Sequence, residues 1–305
     1  MSARLPDRVG VIGGGRMGAG IAHAFLMAGT PVVVVERDTD SASAARDRVL
    51  TAIEGSVRRG APAPEPDHLV TTVDWDVLRG CGLVVEAVPE LPELKREALR
   101  RAEGLLEPLA VLASNTSSLS IDGLASGLRR PGAFLGMHFF NPVPASALVE
   151  VVAGTATAPS ALDLATGWVA ALGKTPVVVQ DSPGFASSRL GVLLGVEAVR
   201  MVEEGVASPE DIDAAMTLGY KHPVGPLRLT DIVGLDVRLD IAEYLASELG
   251  PRFEPPELLR RMVADGLLGR KSGRGFYDWS DETGGTGGTA GEGGGGVSRD
   301  PGRPR

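Results

Sequence analysis

Seven apolar runs rich in valine punctuate the first 180 residues: VGVI (9–12), PVVVVE (31–36), GLVVEAV (82–88), AVLAS (110–114), GAFLGM (132–137), ALVEVV (147–152) and TPVVVQ (175–180). Several are continuously apolar and do not alternate, the mark of strands in a sheet covered on both faces. Helix-like segments such as 17–28 and 41–58 separate the early runs. Strand–helix alternation of this kind predicts an α/β fold with a doubly wound parallel sheet. After QDSPGF the texture changes, and residues 183 to about 266 carry almost no strand signal. Helices are expected there over 184–204, 208–218, 227–248 and 255–265. The second of these opens with Ser208 as N-cap, Pro209 at the first helical position and Asp211 at the third, a variant of the capping box. The pattern therefore predicts a sheet domain over 1–182 and an all-helical domain over 183–281. The glycine-rich stretch within 282–305 has too little apolar content to bury a core and is expected to be disordered.

Length supports that division, because 305 residues suit one large domain or two ordinary ones. A net charge of −9, with no dense Lys/Arg block, argues against nucleic acid or an anionic membrane as the main partner. The single cysteine, Cys81, excludes an internal disulfide and any multi-cysteine metal site, and its apolar surroundings make it a small core residue. No metal site is expected. No apolar stretch is long enough to span a bilayer, and the N-terminus enters a strand pattern at once, leaving no room for a signal peptide. A cytoplasmic protein is the expectation.

The loop after the first run reads VIGGGRMGAG, which places Gly13, Gly15 and Gly18 in a G-x-G-x-x-G spacing. Alone that spacing is weak. Here it follows a valine-rich strand and opens a helix, and the second run ends in Glu36, eighteen residues after Gly18. This is the setting of a Rossmann-like dinucleotide site. Gly13 permits the tight turn, Gly15 lets backbone approach a pyrophosphate, and Gly18 lets the helix pack on the strand. Gly14, Arg16 and Met17 complete the loop as cofactor contacts, with free N–H groups at the helix N-terminus facing the phosphates. Glu36 would bind the ribose hydroxyls and repel a 2′-phosphate, which favours NAD. Arg37 beside it keeps NADP open as the alternative.

Of the four histidines, His23 lies on the fingerprint helix as a packing or surface residue, His68 in an exposed proline-rich loop, and His222 in a turn between helices. His138 differs because it ends a strand of the sheet, where doubly wound folds face their ligand. It and Glu150 lie symmetrically about Pro144 in HFFNPVPASALVE. If the flanking strands run antiparallel, the carboxylate can fix one ring nitrogen and leave the other as a base. Ser117 and Ser118, in SNTSSL at another strand end, offer hydroxyls to the same crevice or serve as a turn or helix cap.

Taken together, GGGRMGAGIA, EAVPE, SNTSSL, HFFNPVP, DSPGF, HPVGPLRLTDIVGLD and GRKSGRGFY resemble the 3-hydroxyacyl-CoA dehydrogenases, especially the short bacterial 3-hydroxybutyryl-CoA type, over residues 8–279. The resemblance implies an NAD-dependent oxidation of a (3S)-3-hydroxyacyl-CoA to the 3-oxoacyl-CoA, with a helical domain that forms a homodimer. It implies His138 as catalytic base with Glu150 as its partner, Ser117 and Asn141 near substrate and nicotinamide, and Glu90, Lys95 and Lys271 as cofactor contacts. One departure stands out: PGFASSRL puts Ser188 where the family has an asparagine that contacts substrate. A hydroxyl is shorter than an amide and offers fewer donors. Arg46, Arg48, Arg58 and Arg59 lie where the family meets the CoA phosphates, and each taken singly reads more simply as part of a solvated helix face. Two other readings share the architecture, a dehydrogenase of a free hydroxy acid and a non-catalytic NAD-binding protein of the crystallin kind. Lys174 is the one candidate for a lysine base, and its place before a strand makes a surface role the simpler one.

Overall fold

The structure is a computed structural model that describes residues 4–280. The glycine-rich tail over 282–305 lies outside the described residues. Eight strands form one sheet: β1 (Val9–Ile12), β2 (Val32–Val35), β3 (Leu69–Thr72), β4 (Leu83–Glu86), β5 (Val111–Ser114), β6 (Phe134–Phe139), β7 (Leu148–Ala153) and β8 (Thr175–Gln180). Their order is β3-β2-β1-β4-β5-β6-β7-β8. Strands β1 to β6 pair in parallel, β7 runs antiparallel to β6, and β8 is parallel to β7. The chain leaves β1 towards β2 and β3 and returns to β4 on the other side. That reversal makes a crevice beyond the C-terminal ends of β1 and β4, where ligands of such sheets bind.

Helices α1 (Arg16–Met27), α2 (Thr39–Arg58) and α5 (Pro159–Ala171) pack on one face of the sheet, and α3 (Pro92–Glu103) and α4 (Ile121–Ala125) on the other. Neighbouring residues of one strand therefore enter different cores: Val32 and Val34 join the first, Val33 and Val35 the second. Each fully buried valine of this kind contributes about 1.5–3 kcal/mol. This is why β1, β2, β4 and β5, buried at every position, have no alternation.

Two strands depart from the sequence pattern. β3, LVTT, lies at one sheet edge and buries only Leu69 fully, so it has no apolar run to reveal it. β8 is as valine-rich as the centre, yet it forms the other edge and leaves Val177 and Val178 exposed. A run of valines marks a strand there without marking burial.

The chain divides into two compact units, one reaching Gly191 and reclaiming Tyr244–Arg252, the other comprising Val192–Glu243 and the residues from Phe253 onward. Strand content ends at Gln180, whereas the compact units divide later, inside α6 (Ser187–Glu203). α7 (Pro209–Ala214) carries the expected cap, the Ser208 hydroxyl accepting from the Asp211 N–H at 3.1 Å, and a π-helical turn over Ala215–Gly219 follows it. The expected helix 227–248 is two helices, α8 (Pro226–Val233) and α9 (Leu235–Leu249), because Gly234 at φ +110° breaks the run. With α10 (Glu257–Ala264), these elements enclose a core that includes Val199, Ile212, Leu227, Leu235 and Leu259. No helix among the described residues is long and apolar enough to cross a membrane.

Candidate active site

The glycine loop joins β1 to α1. Gly13 has φ +89°, a conformation that glycine alone adopts readily, and a Cβ on Gly18 would sit 1.8 Å from the Gly13 carbonyl oxygen. A Cβ on Gly15 would meet nothing within 4 Å, so the loop is open there. No side chain caps the α1 N-terminus, which leaves its first N–H groups, among them those of Arg16 and Met17, for an anion. The loop is braced from beyond β2. The Gly14 N–H donates to Glu36 at 2.6 Å, and Arg48 from α2 donates to the Gly14 carbonyl at 3.2 Å. Arg37 is turned onto Asp38 at 2.8 Å, and Asp38 in turn caps α2 by accepting from the Ser41 N–H. These features fit a dinucleotide pyrophosphate at the loop.

A second cluster closes the ends of β4 and β5. Glu86 is fully buried and accepts from Lys95 at 2.8 Å, the Val88 N–H at 2.7 Å and the Ser114 hydroxyl at 2.6 Å. Lys95 is itself buried, and its three N–H groups are taken by Glu86, the Val88 carbonyl and Glu90. Glu90 also accepts from the Thr116 hydroxyl and from the N–H groups of Ser117 and Ser118. Burial pushes the Glu90 carboxyl up, but Lys95 and these hydrogen bonds outweigh it and hold the group below its ordinary value. Asn115 ties β5 to β6 by accepting from the Phe139 N–H at 2.9 Å.

The third element is the antiparallel pair β6–β7. Its register sets His138 opposite Glu150, and the ring Nδ1 lies 2.8 Å from Glu150 Oε2. Both side chains are buried, and the rings of Phe140 and Phe185 stand 4.5 and 5.8 Å from the imidazole. Nε2 has no hydrogen bond among the described residues and is not sealed from solvent. Glu150 is held from its far side by the start of α6. Oε1 accepts from the Ala186 and Ser187 N–H groups at 3.1 and 2.8 Å, and Oε2 accepts from the Ser187 hydroxyl at 2.6 Å. Burial pushes Glu150 up, but the bonds from His138 and Ser187 outweigh it and leave the carboxyl below its ordinary value. A carboxylate so held stays charged, fixes the ring and stabilises an imidazolium, while Nε2 is available for a proton.

The remaining candidates fall in different places. Asn141 follows β6 on an exposed turn, and Ser188 is half-buried in α6. Among the described residues the Ser188 hydroxyl has no hydrogen-bond partner, whereas its neighbour Ser187 reaches Glu150. Lys271 lies in the second unit, paired with Asp236. Arg46 donates to the Leu69 carbonyl, Arg58 faces Glu54 at 3.8 Å, and Arg59 donates to Ser56. Lys174 is no simple surface lysine. It is half-buried and donates to the carbonyls of Val143 and Ser146, pinning the turn after β6. His23 is buried on Ser56 at 2.9 Å, with burial holding its pKa down, and His68 is half-buried, not exposed. Cys81 is buried, and burial pushes its thiol up to about 11, as suits an inert core residue.

Ser187, Glu86 and Asn115 escaped the sequence reading. Glu86 left a signal, a lone acid ending a continuously apolar strand, because a charge there needs a buried partner. Ser187 left a weaker one, a hydroxyl residue at the first position of a helix.

Comparison with known proteins accounts for nearly all of the described chain. Residues 8–182 match the family description "3-hydroxyacyl-CoA dehydrogenase, NAD binding domain", and residues 184–279 match the C-terminal domain of the same family. A probable 3-hydroxybutyryl-CoA dehydrogenase of Deinococcus radiodurans is 41% identical over 277 residues, covering 89% of this chain and 100% of that protein. The 3-hydroxybutyryl-CoA dehydrogenase of Mycobacterium tuberculosis is 42% identical over 281 residues, covering 90% of this chain and 98% of its own. The crystal structure of (S)-3-hydroxybutyryl-CoA dehydrogenase from Ralstonia eutropha aligns with a TM-score of 0.85 at 38% identity, over 90% of this chain and 99% of that one. The chain belongs to the 3-hydroxyacyl-CoA dehydrogenase family and is an NAD-linked oxidoreductase.

Proposed function

We propose that the protein interconverts a short-chain (3S)-3-hydroxyacyl-CoA, of the 3-hydroxybutyryl-CoA type, and the matching 3-oxoacyl-CoA. The observation that carries this reading is the buried contact of Glu150 with His138, whose ring presents a free Nε2 on the same C-terminal side of the parallel strands as the dinucleotide loop. Bound NAD supplies the hydride acceptor. In the oxidation, His138 Nε2 takes the proton of the substrate hydroxyl as hydride leaves the carbinol carbon, and Glu150 stabilises the imidazolium that results. In the reduction, the protonated ring returns that proton to the developing alkoxide. Ser117, Asn141 and Ser188 are assigned to the substrate and nicotinamide side of the site. Lys95 acts behind Glu90, fixing that carboxylate by ion pairing, because its own N–H groups are already taken.

NAD is favoured over NADP by two details. Glu36 holds its carboxylate at the glycine loop, where a 2′-phosphate would meet it, and Arg37 spends its Nε–H on Asp38. Arg46 and Arg48 each spend one N–H on a backbone carbonyl and keep others for the phosphates of CoA. A homodimer through the helical unit is supported by apolar side chains left on its surface, among them Val206, Leu218 and Tyr220.

The test is a comparison of acetoacetyl-CoA with free acetoacetate as oxidant of NADH, and of NADH with NADPH. The expected result is at least about tenfold higher kcat/KM for the CoA ester and for NADH, a difference of about 1.4 kcal/mol in each case. A preference for free acetoacetate would transfer the assignment to a hydroxy-acid dehydrogenase.

A further inference from the structure

Glu150 receives more than its histidine. Three donors from the turn into α6 converge on it: the Ala186 and Ser187 N–H groups on Oε1 and the Ser187 hydroxyl on Oε2. Oε2 is also the oxygen that His138 Nδ1 contacts. One oxygen thus faces two side-chain donors, at 2.6 Å from Ser187 and 2.8 Å from His138. We propose that Ser187 is a positioning residue that sets the basicity of His138 through Glu150. This rests on the assignment of His138 as the proton acceptor.

The two donors share the charge of one oxygen. A carboxylate oxygen that already accepts a short hydroxyl bond has less negative charge to offer a second donor, and it is a poorer proton acceptor itself. Two consequences follow for the ring. The proton on Nδ1 stays on the imidazole and does not pass to Glu150. The imidazolium is stabilised less than a bare carboxylate would stabilise it. The hydroxyl bond also fixes the rotation of the carboxylate, because Oε1 is anchored on the α6 backbone and Oε2 on the Ser187 side chain.

No other titratable partner contributes to this arrangement through a hydrogen bond among the described residues. β6 brings His138, β8 places Val177 beside Glu150, and α6 brings Ala186 and Ser187. The aromatic rings of Phe140 and Phe185 line the imidazole without adding charge.

The experiment measures kcat/KM for 3-hydroxybutyryl-CoA oxidation against pH in the full-length enzyme, for wild type, Ser187→Ala, Ser187→Gly and Ser187→Thr. In the oxidation direction His138 must be neutral, so its titration appears as the acid limb. Removing the hydroxyl in Ser187→Ala or Ser187→Gly is expected to move that limb to higher pH by about 0.5–1 unit. At the pH optimum kcat falls about 3- to 30-fold, since a hydrogen bond to a charged group is lost, while KM for both substrates stays within about twofold. Ser187→Thr keeps a hydroxyl and brings the limb back towards wild type. A purely structural serine would lower stability and leave the limb in place. Acid limbs of Ser187→Ala and Ser187→Gly that coincide with wild type overturn the proposal, and two different replacements guard against one that does not fold. If His138→Gln oxidises the substrate as fast as wild type, the assignment of the base fails, and the role of Ser187 falls with it. A wild-type limb that vanishes in His138→Gln but does not move in the Ser187 variants overturns the role of Ser187 alone.

Discussion

Glu86 and Glu150 are both buried carboxylates on the strands of one sheet, and they meet opposite kinds of partner. Glu86 at the end of β4 faces the amine of Lys95, in an arrangement whose donors and acceptors are mutually used up. Glu150 on β7 faces an imidazole and otherwise only uncharged donors from α6. The first arrangement is a fixture, because a buried ion pair with its hydrogen bonds satisfied has nothing left to exchange. The second joins its carboxylate to an imidazole, a side chain that can take up and release a proton. The same residue type in the same sheet is structural in one place and suited to proton transfer in the other. The partner decides which.

The comparison breaks most visibly if the Glu150 charge is removed. Glu150→Gln is expected to lower turnover by about 10²–10⁴-fold, the span typical of a positioned acid–base group, with the fold intact by circular dichroism. An unchanged kcat would mean the contact in the structure does no work in catalysis. The same variant carries a pH signature. The Glu150 carboxyl is held below its ordinary 4.5 in the folded protein, so its ionisation contributes stability above that value, and the contribution is lost as pH falls through the lower folded-state value. Thermal unfolding followed from pH 6 downward, in steps of about half a unit, should show a shallower acid loss in Glu150→Gln than in wild type.

On the Glu86 side the expected effect is on stability. Lys95→Met leaves Glu86 buried without its cation and should cost about 3–5 kcal/mol, read as a fall in denaturant midpoint. Adding Glu86→Gln removes the stranded charge and should recover part of that loss. A Lys95→Met protein as stable as wild type would show that the cluster is not the fixture described above.

Much of this was legible in the sequence because the residues concerned obey local rules. The glycine spacing, the acid ending the second strand and the symmetric placing of His138 and Glu150 about Pro144 each state a local geometry, and the strands deliver it. What stayed hidden depends on position in the sheet or on contacts between distant segments. β3 is an edge strand with one buried residue, so no periodicity announces it. β8 has the valines of a central strand and the exposure of an edge, since hydropathy records composition and not neighbours. The resemblance puts Lys95 among the cofactor contacts, and only the fold shows two carboxylates closing on it. Ser187 stood beside Ser188, the residue that its family position drew attention to, and 37 positions separate it from the glutamate it bonds.

The central claim, that His138 moves the proton, is tested most directly by His138→Gln, measuring turnover of acetoacetyl-CoA and NADH binding on the same preparation. The expected result is NADH affinity within about threefold of wild type and kcat lower by about 10²–10⁴-fold, because the variant keeps the fold and loses the base. A kcat within about threefold of wild type would contradict the assignment of the base at β6.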